Sequence, residues 1–227
     1  MKHLIYLHGF LSSPASAKAQ YTHQYLAKNR QDIRFHCPAL SSKPRKDWLA
    51  LKKLVSVIIQ DWGLELARSQ IVKNRTTKLE LGIIGSSLGG FWASCLMTYL
   101  SNPTTRQSKH DDVYRVKSCL INPAVRPQQL IRDRINQKIA FWHGPGHIYL
   151  RPCDALALTS LDTRYASRSR LDSDFKVLLQ KADETLDYRK AVSYYGAANC
   201  EIQSGGSHAF DGFNKQLPDL LQYLFPS

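Results

Sequence analysis

The sequence has no long hydrophobic run. None of its apolar stretches approaches the ~20 residues that a membrane-spanning helix requires. Residues 4–7 are apolar, but His8 and Gly9 interrupt this segment and Lys2 is the only basic residue before it. A secretory signal peptide has a longer apolar core behind a clearer basic segment. We therefore expect neither a membrane span nor a secretory leader.

Cysteine is scarce, with five residues, an odd number, and no C-x-x-C pair. This spacing argues against a disulfide framework and against a zinc site. It favours free thiols in a reducing compartment, so we expect a cytoplasmic protein without a zinc site. The five residues are Cys37, Cys95, Cys119, Cys153 and Cys200.

Acidic residues are few, 18 against 31 lysines and arginines, which gives a formal net charge of +13. Such an excess can accompany an anionic partner, such as nucleic acid, the phosphates of coenzyme A or an acidic carrier protein. Here the basic residues are spread over the whole chain and form no dense block interleaved with aromatic residues. The charge therefore predicts a basic, solvated surface and no specific nucleic-acid partner.

What the sequence does contain is a regular alternation of short apolar strands and helix-like stretches. This alternation is typical of an α/β fold, in which a mainly parallel sheet carries helices on both faces. The length suits one such domain, to which we assign residues 1–227. The predicted strands are residues 2–7, 33–37, 79–84, 116–121, 175–179 and 200–203.

The predicted helices lie between these strands and at the end of the chain. The clearest covers residues 46–62, where large apolar residues recur at spacings of three and four, and Gly63 is expected to end it. The last covers residues 217–225, with Pro218 in its first turn. The others cover residues 17–29, 91–100 and 188–195.

Residues 126–174 have the weakest pattern and lie between two core strands, where a cap over an active site would be inserted. Within this tract His143 and His147 flank a Gly-Pro-Gly sequence. That sequence cannot hold the two side chains on one helical face. We therefore expect them to have a loop or cap role and not to bind a metal.

The most informative stretch is residues 81–90, an apolar strand that changes abruptly into small residues and then into a helix-like segment. It contains the pattern G-x-S-x-G of the nucleophile elbow, with Ser87 at the apex. Glycine is required at 85 and 89 because backbones approach closely there. Ser86 occupies the variable position and should point away from the apex. An ordinary glycine-serine turn is the alternative interpretation.

A serine nucleophile needs a base to take its proton and an acid to orient that base. In α/β-hydrolases the chain order is Ser, then Asp or Glu, then His. Ser87, Asp183 and His208 occur in this order, each directly after a predicted strand. Because functional groups collect beyond the carboxyl ends of parallel strands, we expect the three side chains to meet there.

Three other acidic residues compete for the role of the acid. Asp187 immediately precedes a predicted helix and is better suited to be its N-cap. Glu184 and Asp211 lie near the predicted acid and base and remain alternatives to Asp183.

The tetrahedral intermediate of ester cleavage also needs two hydrogen-bond donors for its oxyanion. One should be the backbone N–H of Leu88, directly after the nucleophile, and the other the N–H of Phe10, in the loop after the first strand. His8 and Gly9 would shape that loop. His8 precedes the nucleophile in the chain, so we expect it to support the loop and not to be the base.

Four segments of the sequence resemble those of the small bacterial YqiA-type esterases, and the resemblance extends along nearly the whole chain. It implies a compact α/β-hydrolase that cleaves acyl esters or thioesters without a cofactor, with Ser87, Asp183 and His208 at the triad positions. The tract 126–174 matches least well, which leaves the substrate preference open. The four segments are residues 5–14, 85–91, 183–189 and 205–210.

The sequence therefore predicts a serine carboxylic-ester hydrolase that forms an acyl-enzyme on Ser87 and acts on a small acyl ester. The alternative is a thioesterase for acyl-CoA or acyl-carrier substrates that uses the same triad. A catalytically silent binding protein on the same fold is a third hypothesis.

Overall fold

The computed structural model describes residues 1–70, 78–101, 114–140, 146–166 and 174–226. A six-stranded sheet forms the centre of the molecule, and every pair of neighbouring strands in it is parallel. The strand order is β2-β1-β3-β4-β7-β8. The strands are β1 Lys2–Leu7, β2 Ile33–His36, β3 Leu79–Ser86, β4 Tyr114–Ile121, β7 Phe175–Gln180 and β8 Cys200–Gln203.

Helices cover both faces of this sheet, as the alternation of strands and helices predicts. Side chains alternate along β1, so Ile5 and Leu7 join the core on one face while Leu4 and Tyr6 join the core on the other. All four side chains are buried. The helices between and after the strands are α1 Ala17–Asn29, α2 Pro44–Gln70, α3 Leu88–Ser101, α6 Tyr188–Tyr195 and α7 Phe213–Leu224.

Two predicted helix limits are wrong by four residues or more, and α3 begins at Leu88, three residues before its predicted start. The helix α2 does not end at Gly63 but continues to Gln70. Gly63 keeps a negative φ, and helix-forming residues follow it. The helix α7 begins at Phe213 and not at residue 217, so Pro218 lies inside it. Its apolar stripe of Phe213, Leu217 and Leu221 is buried. The free energy gained from this burial offsets the loss of the helical hydrogen bond that proline, which has no N–H, cannot donate.

The tract between β4 and β7 is more ordered than its sequence suggests. It contains a short helix α4 Pro127–Leu130, two antiparallel strands β5 Lys138–Ala140 and β6 His147–Tyr149, and a helix α5 Pro152–Arg164. Its apolar residues Ile131, Ile148, Leu150, Leu158 and Leu161 belong to the core cluster that also contains α2 and α3. The insertion is therefore packed against the rest of the fold.

The predicted loop or cap role of His143 falls outside the described residues, and so does part of the tract 126–174. None of the helices in the described part of the chain combines the length and apolarity that crossing a membrane requires. All five cysteines are free thiols.

Candidate active site

Ser87 sits at a sharp turn between β3 and α3. Its backbone is left-handed, with φ of +55°, a conformation that non-glycine residues rarely adopt and that clusters at functional sites. Its N–H donates a hydrogen bond to the Ile121 carbonyl at 3.0 Å, which ties the turn to the end of β4. A Cβ added to Gly89 would lie 1.9 Å from the Leu7 carbonyl oxygen, and one on Gly85 would lie 2.3 Å from the Gly89 oxygen. Both positions therefore require glycine, for the reason that the sequence predicts.

The structure brings Ser87, His208 and Asp183 together. Ser87 Oγ lies 3.0 Å from Nε2 of His208, and Nδ1 of the same ring lies 2.9 and 3.0 Å from the two carboxylate oxygens of Asp183. Because Asp183 can only accept, the ring proton belongs on Nδ1 and the lone pair of Nε2 faces the serine hydroxyl. This is the tautomer that a base needs in order to take the serine proton.

The Asp183 carboxylate is nearly inaccessible to solvent, with 2 % of its side chain exposed against 16 % for His208. Burial on its own would raise the pKa of Asp183. Hydrogen bonds from His208 and from the backbone amides of Leu186 and Thr185 outweigh that effect, and the pKa lies below its ordinary value. The two amides donate to Oδ1 at 2.8 and 2.9 Å. The carboxylate therefore stays ionised at neutral pH.

The competing acidic residues have other partners. Asp187 caps α6 by accepting the Arg189 N–H at 3.0 Å, as its position in the sequence predicts. Glu184 accepts the backbone N–H of His208 at 2.9 Å, and Asp211 accepts the Ser207 hydroxyl at 2.7 Å. Of these acidic residues, the His208 ring bonds only to Asp183.

Two amide side chains that the sequence analysis did not identify hold the loop that carries His208. Asn122, at the end of β4, accepts the Gln180 N–H at 3.0 Å and donates to the Ser207 carbonyl at 2.9 Å. Gln180, at the end of β7, accepts the N–H groups of Ser207 and Asp211 at 3.0 and 2.8 Å, and it is 3 % exposed. A polar residue that ends a buried apolar strand is the feature that could have identified both.

The loop after β1 lies against Ser87. A Cβ on Gly9 would be 3.3 Å from Cβ of Ser87 and 3.7 Å from its Oγ. His8 is buried beside this glycine, with Nδ1 3.0 Å from the Gly9 oxygen and Nε2 accepting the Leu40 N–H at 3.1 Å. Burial lowers the pKa of His8, although its bond to Gly9 and the charge of Asp47 oppose the shift. His8 is thus a neutral residue that supports the loop.

These contacts fix the orientation of the Phe10 amide. The Gly9 carbonyl accepts from His8 Nδ1 and from the Ser12 N–H, the latter at 3.3 Å. The N–H of a trans peptide points away from its carbonyl, so the Phe10 N–H faces away from these donors. Leu88 is the first residue of α3, and amides of a first helical turn have no intrahelical partner. No hydrogen bond within the described ranges engages the Phe10 or Leu88 N–H.

A separate cavity of about 450 Å³ lies between the β2–α2 loop and the insertion. Lys43 crosses it, donating to the Tyr149 carbonyl and pairing with Asp154 at 3.1 Å. His147 and Arg151 also line it. His147 therefore lies in the insertion, at the wall of this cavity. Within the described part of the chain, no three His, Cys, Asp or Glu side chains gather in a way that would hold a metal ion.

Three solved structures share this architecture. Est1E from Butyrivibrio proteoclasticus, with ferulic acid bound, gives a TM-score of 0.63 at 13 % identity over 99 % of this chain and 88 % of its own. The ydeN gene product from B. subtilis gives 0.57 at 12 % identity over 100 % of both chains. Alpha/beta hydrolase domain-containing protein 10 from mouse gives 0.56 at 13 % identity over 98 % of this chain and 90 % of its own. At such identities these likenesses establish the fold, which is that of the α/β-hydrolases.

The sequence also matches a family model over nearly its whole length. The match covers residues 3–225, and the family is described as an uncharacterised protein family. It spans the elbow, the loop after β1 and the two later loops that bring Asp183 and His208 to the serine. The predicted resemblance to YqiA-type proteins is confirmed at the level of the family. The chain belongs to the uncharacterised protein family UPF0227.

Proposed function

We propose that the protein is a serine carboxylic-ester hydrolase that works through an acyl-enzyme on Ser87. The observation that carries this proposal is the continuous chain of hydrogen bonds from Ser87 Oγ through His208 to Asp183, at 3.0 and 2.9 Å. An activated serine beside unengaged backbone amides suits attack on an acyl carbon.

In the acylation step Ser87 Oγ attacks the acyl carbon while His208 Nε2 takes the hydroxyl proton. The carbonyl π electrons move onto oxygen, and the N–H groups of Leu88 and Phe10 donate to the resulting oxyanion. Asp183 holds the imidazole and stabilises its positive charge. When the intermediate collapses, the bond to the alcohol oxygen breaks and the proton on Nε2 passes to the leaving alcohol.

Deacylation repeats these steps with water as the nucleophile. His208 Nε2 takes a proton from water as the hydroxide oxygen attacks the Ser87 ester, and the same two amides receive the second oxyanion. Collapse releases the carboxylic acid, and the proton on Nε2 returns to Ser87 Oγ. The cycle needs no cofactor, because every proton that leaves one oxygen is delivered to another.

A likeness among solved structures supports a small-molecule substrate. Est1E has ferulic acid bound, and ferulic acid is a small carboxylic acid, the class of product that ester hydrolysis releases. For this chain we propose only the corresponding substrate class, a small acyl ester.

The test is to label the folded protein with a fluorophosphonate and map the adduct by mass spectrometry. We expect one adduct, on Ser87, and loss of both labelling and ester turnover in Ser87→Ala. The matched control is Ser86→Ala, because Ser86 is the neighbouring serine and is buried, so this variant should still be labelled. A wild-type protein that is neither labelled nor active would contradict the proposal and favour the silent binding protein, whereas full turnover by Ser87→Ala would exclude Ser87 as the nucleophile.

The net charge of +13 favours one second candidate, a thioesterase for anionic acyl-CoA or acyl-carrier substrates. Comparing kcat/KM for matched esters and thioesters at several salt concentrations separates the two. A strong preference for the thioester that disappears at high salt would establish the thioesterase, since steering between exposed charges is screened by salt.

A further inference from the structure

Two buried non-glycine residues in the left-handed conformation face each other beside the candidate site. Leu11 follows Phe10 and has φ of +55°, and Ser42, in the loop after β2, has φ of +59°. The Leu11 N–H donates to Ser42 Oγ at 3.1 Å, and the two residues are 2 % and 6 % exposed. Each such conformation costs on the order of 1–3 kcal/mol and persists only where surrounding contacts impose it.

Asp47, in the first turn of α2, holds Ser41, the residue directly before Ser42. Asp47 is 2 % exposed, and its Oδ1 accepts the Ser41 N–H at 2.6 Å and the Ser41 hydroxyl at 2.7 Å. A buried carboxylate that accepts two hydrogen bonds from Ser41 holds the segment of residues 40–42, which we call the bracing segment.

The bracing segment contacts the loop after β1 at a second point. The Leu40 N–H donates to Nε2 of His8 at 3.1 Å. Since Nε2 is then an acceptor, the ring proton must be on Nδ1, from which it is donated to the Gly9 carbonyl. One side of the Phe10 residue is therefore fixed through Leu40 and His8.

The other side of Phe10 is fixed by Ser42. The peptide unit before Phe10 is held at the Gly9 carbonyl, and the unit after it is held at the Leu11 N–H. If the Phe10 N–H turned to another direction, either the hydrogen bond at the Gly9 carbonyl or the one at the Leu11 N–H would break. Ser42 is the only residue in the described part of the chain whose side chain accepts the Leu11 N–H.

We propose that Ser42 is a positioning residue for the oxyanion hole, in which its hydroxyl fixes the direction of the Phe10 N–H. This inference rests on the proposed function, because it assigns a role in the same reaction. Ser42 does not touch the reacting atoms and acts only through Leu11. Its contribution is to the stabilisation of the oxyanion and not to the binding of the uncharged ester.

The test uses two substitutions of the same residue in the full-length protein. Ser42→Ala removes the hydroxyl and keeps Cβ, whereas Ser42→Gly removes the hydroxyl and suits a positive φ. We expect both to lower kcat about 10- to 100-fold with KM within about twofold, since complete loss of an oxyanion donor costs about 10²–10³ in kcat. Affinity for an alkyl boronic acid, whose adduct on Ser87 places an oxygen where the oxyanion forms, should fall by the same factor as kcat.

The matched control is Ser13→Ala, in the same loop after β1. Ser13 is exposed enough to lose its hydroxyl without a buried gap, and its Oγ accepts only the Ala15 N–H, at 3.1 Å. We expect its kcat, KM and boronate affinity to equal those of the wild type. If the Ser42 variants acted by destabilising the loop in general, kcat and boronate affinity would fall in Ser13→Ala as well.

Several results would overturn the proposal. Unchanged kcat in either Ser42 variant would do so, and a fall in Ser42→Ala that Ser42→Gly restores would attribute the effect to backbone strain. A change confined to KM, or a loss of kcat with unchanged boronate affinity, would also exclude a role in oxyanion stabilisation. Labelling of Ser87 by excess fluorophosphonate should remain complete in both variants, whereas an unlabelled wild type would refute the proposed function itself.

Discussion

At the scale of single residues, environment separates Asp183 from Asp187, two aspartates four positions apart. Asp183 is buried against His208 and receives two backbone amides. Asp187 is exposed to solvent, caps α6 and pairs with Arg189 at 2.9 Å. The same carboxylate chemistry can therefore orient an imidazole in one place and only begin a helix in the other.

The first prediction compares one chemical change at these two positions. Asp183→Asn should lower kcat by a factor of about 10⁴, the size of effect seen when a triad acid is replaced by its amide and the imidazole takes the wrong tautomer. Asp187→Asn should leave kcat within about twofold, because asparagine is also a good N-cap. Steady-state kinetics on the proposed ester substrate measures both. The reverse ranking would move the acid of the proposed triad to Asp187.

At the scale of elements, α2 demonstrates why glycine is an unreliable mark of a helix end. Gly63 keeps a negative φ, and a Cβ added there would meet no atom of the described residues within 4 Å. Within the part of the chain that the structure describes, nothing requires glycine at this position, unlike at the elbow. By contrast, a Cβ on Gly82 in β3 would lie 2.6 Å from the Phe225 ring.

The second prediction follows from this contrast. Gly63→Ala should raise the free energy of unfolding by about 0.5–1 kcal/mol, because alanine loses less conformational freedom than glycine when the helix forms. Gly82→Ala should lower it by about 1–3 kcal/mol, because the added methyl group overpacks the contact between β3 and the C-terminal Phe225. Urea unfolding followed by circular dichroism measures both changes. A destabilised Gly63→Ala would mean that α2 does not continue through this residue in solution.

At the scale of the whole molecule, three histidines are buried or half-buried as neutral groups near the sheet. The pKa of His3 is lowered to about 4, mainly by burial and also by His36, Arg34 and the N-terminal ammonium, while Glu65 opposes the shift. Burial also lowers the pKa of His36 and of His8. His3 Nδ1 and His36 Nε2 are 2.9 Å apart and join β1 to β2. Protonation of this pair would place like charges side by side within the fold.

The third prediction concerns the stability of the fold in acid. The folded state binds these protons less readily than the unfolded chain, whose histidines titrate near pH 6.5. The free energy of unfolding should therefore be highest above pH 6.5 and fall by about 2–3 kcal/mol from His3 alone as the pH drops to about 4.

Equilibrium unfolding at several pH values measures the slope of the free energy of unfolding against pH. His3→Phe should flatten it, because the unfolded chain then has one fewer proton to gain. A wild-type protein whose stability does not change between pH 6.5 and 4 would contradict the assignment of His3 as a neutral, buried residue.

The sequence predicts the regular part of the fold well because its apolar patterns are local. The limits of β1, α1, α6 and β8 are those predicted, and the order of Ser87, Asp183 and His208 after successive strands indicates where they meet. The insertion is predicted poorly because its strands β5 and β6 are three residues long and its first helix four. Segments this short carry no readable periodicity, and contacts with the core decide their structure.

The sequence by itself determined the chain order of strands, glycines and polar loop residues, because each of these follows from local periodicity or from the backbone geometry of a turn. Only the tertiary structure decided which side chains hold the candidate site in place. Asn122, Gln180 and Ser42 contact residues far away in the chain, at separations of 85, 31 and 31 residues. A hydrogen bond between such distant positions leaves no local pattern, since the fold alone brings its donor and acceptor together.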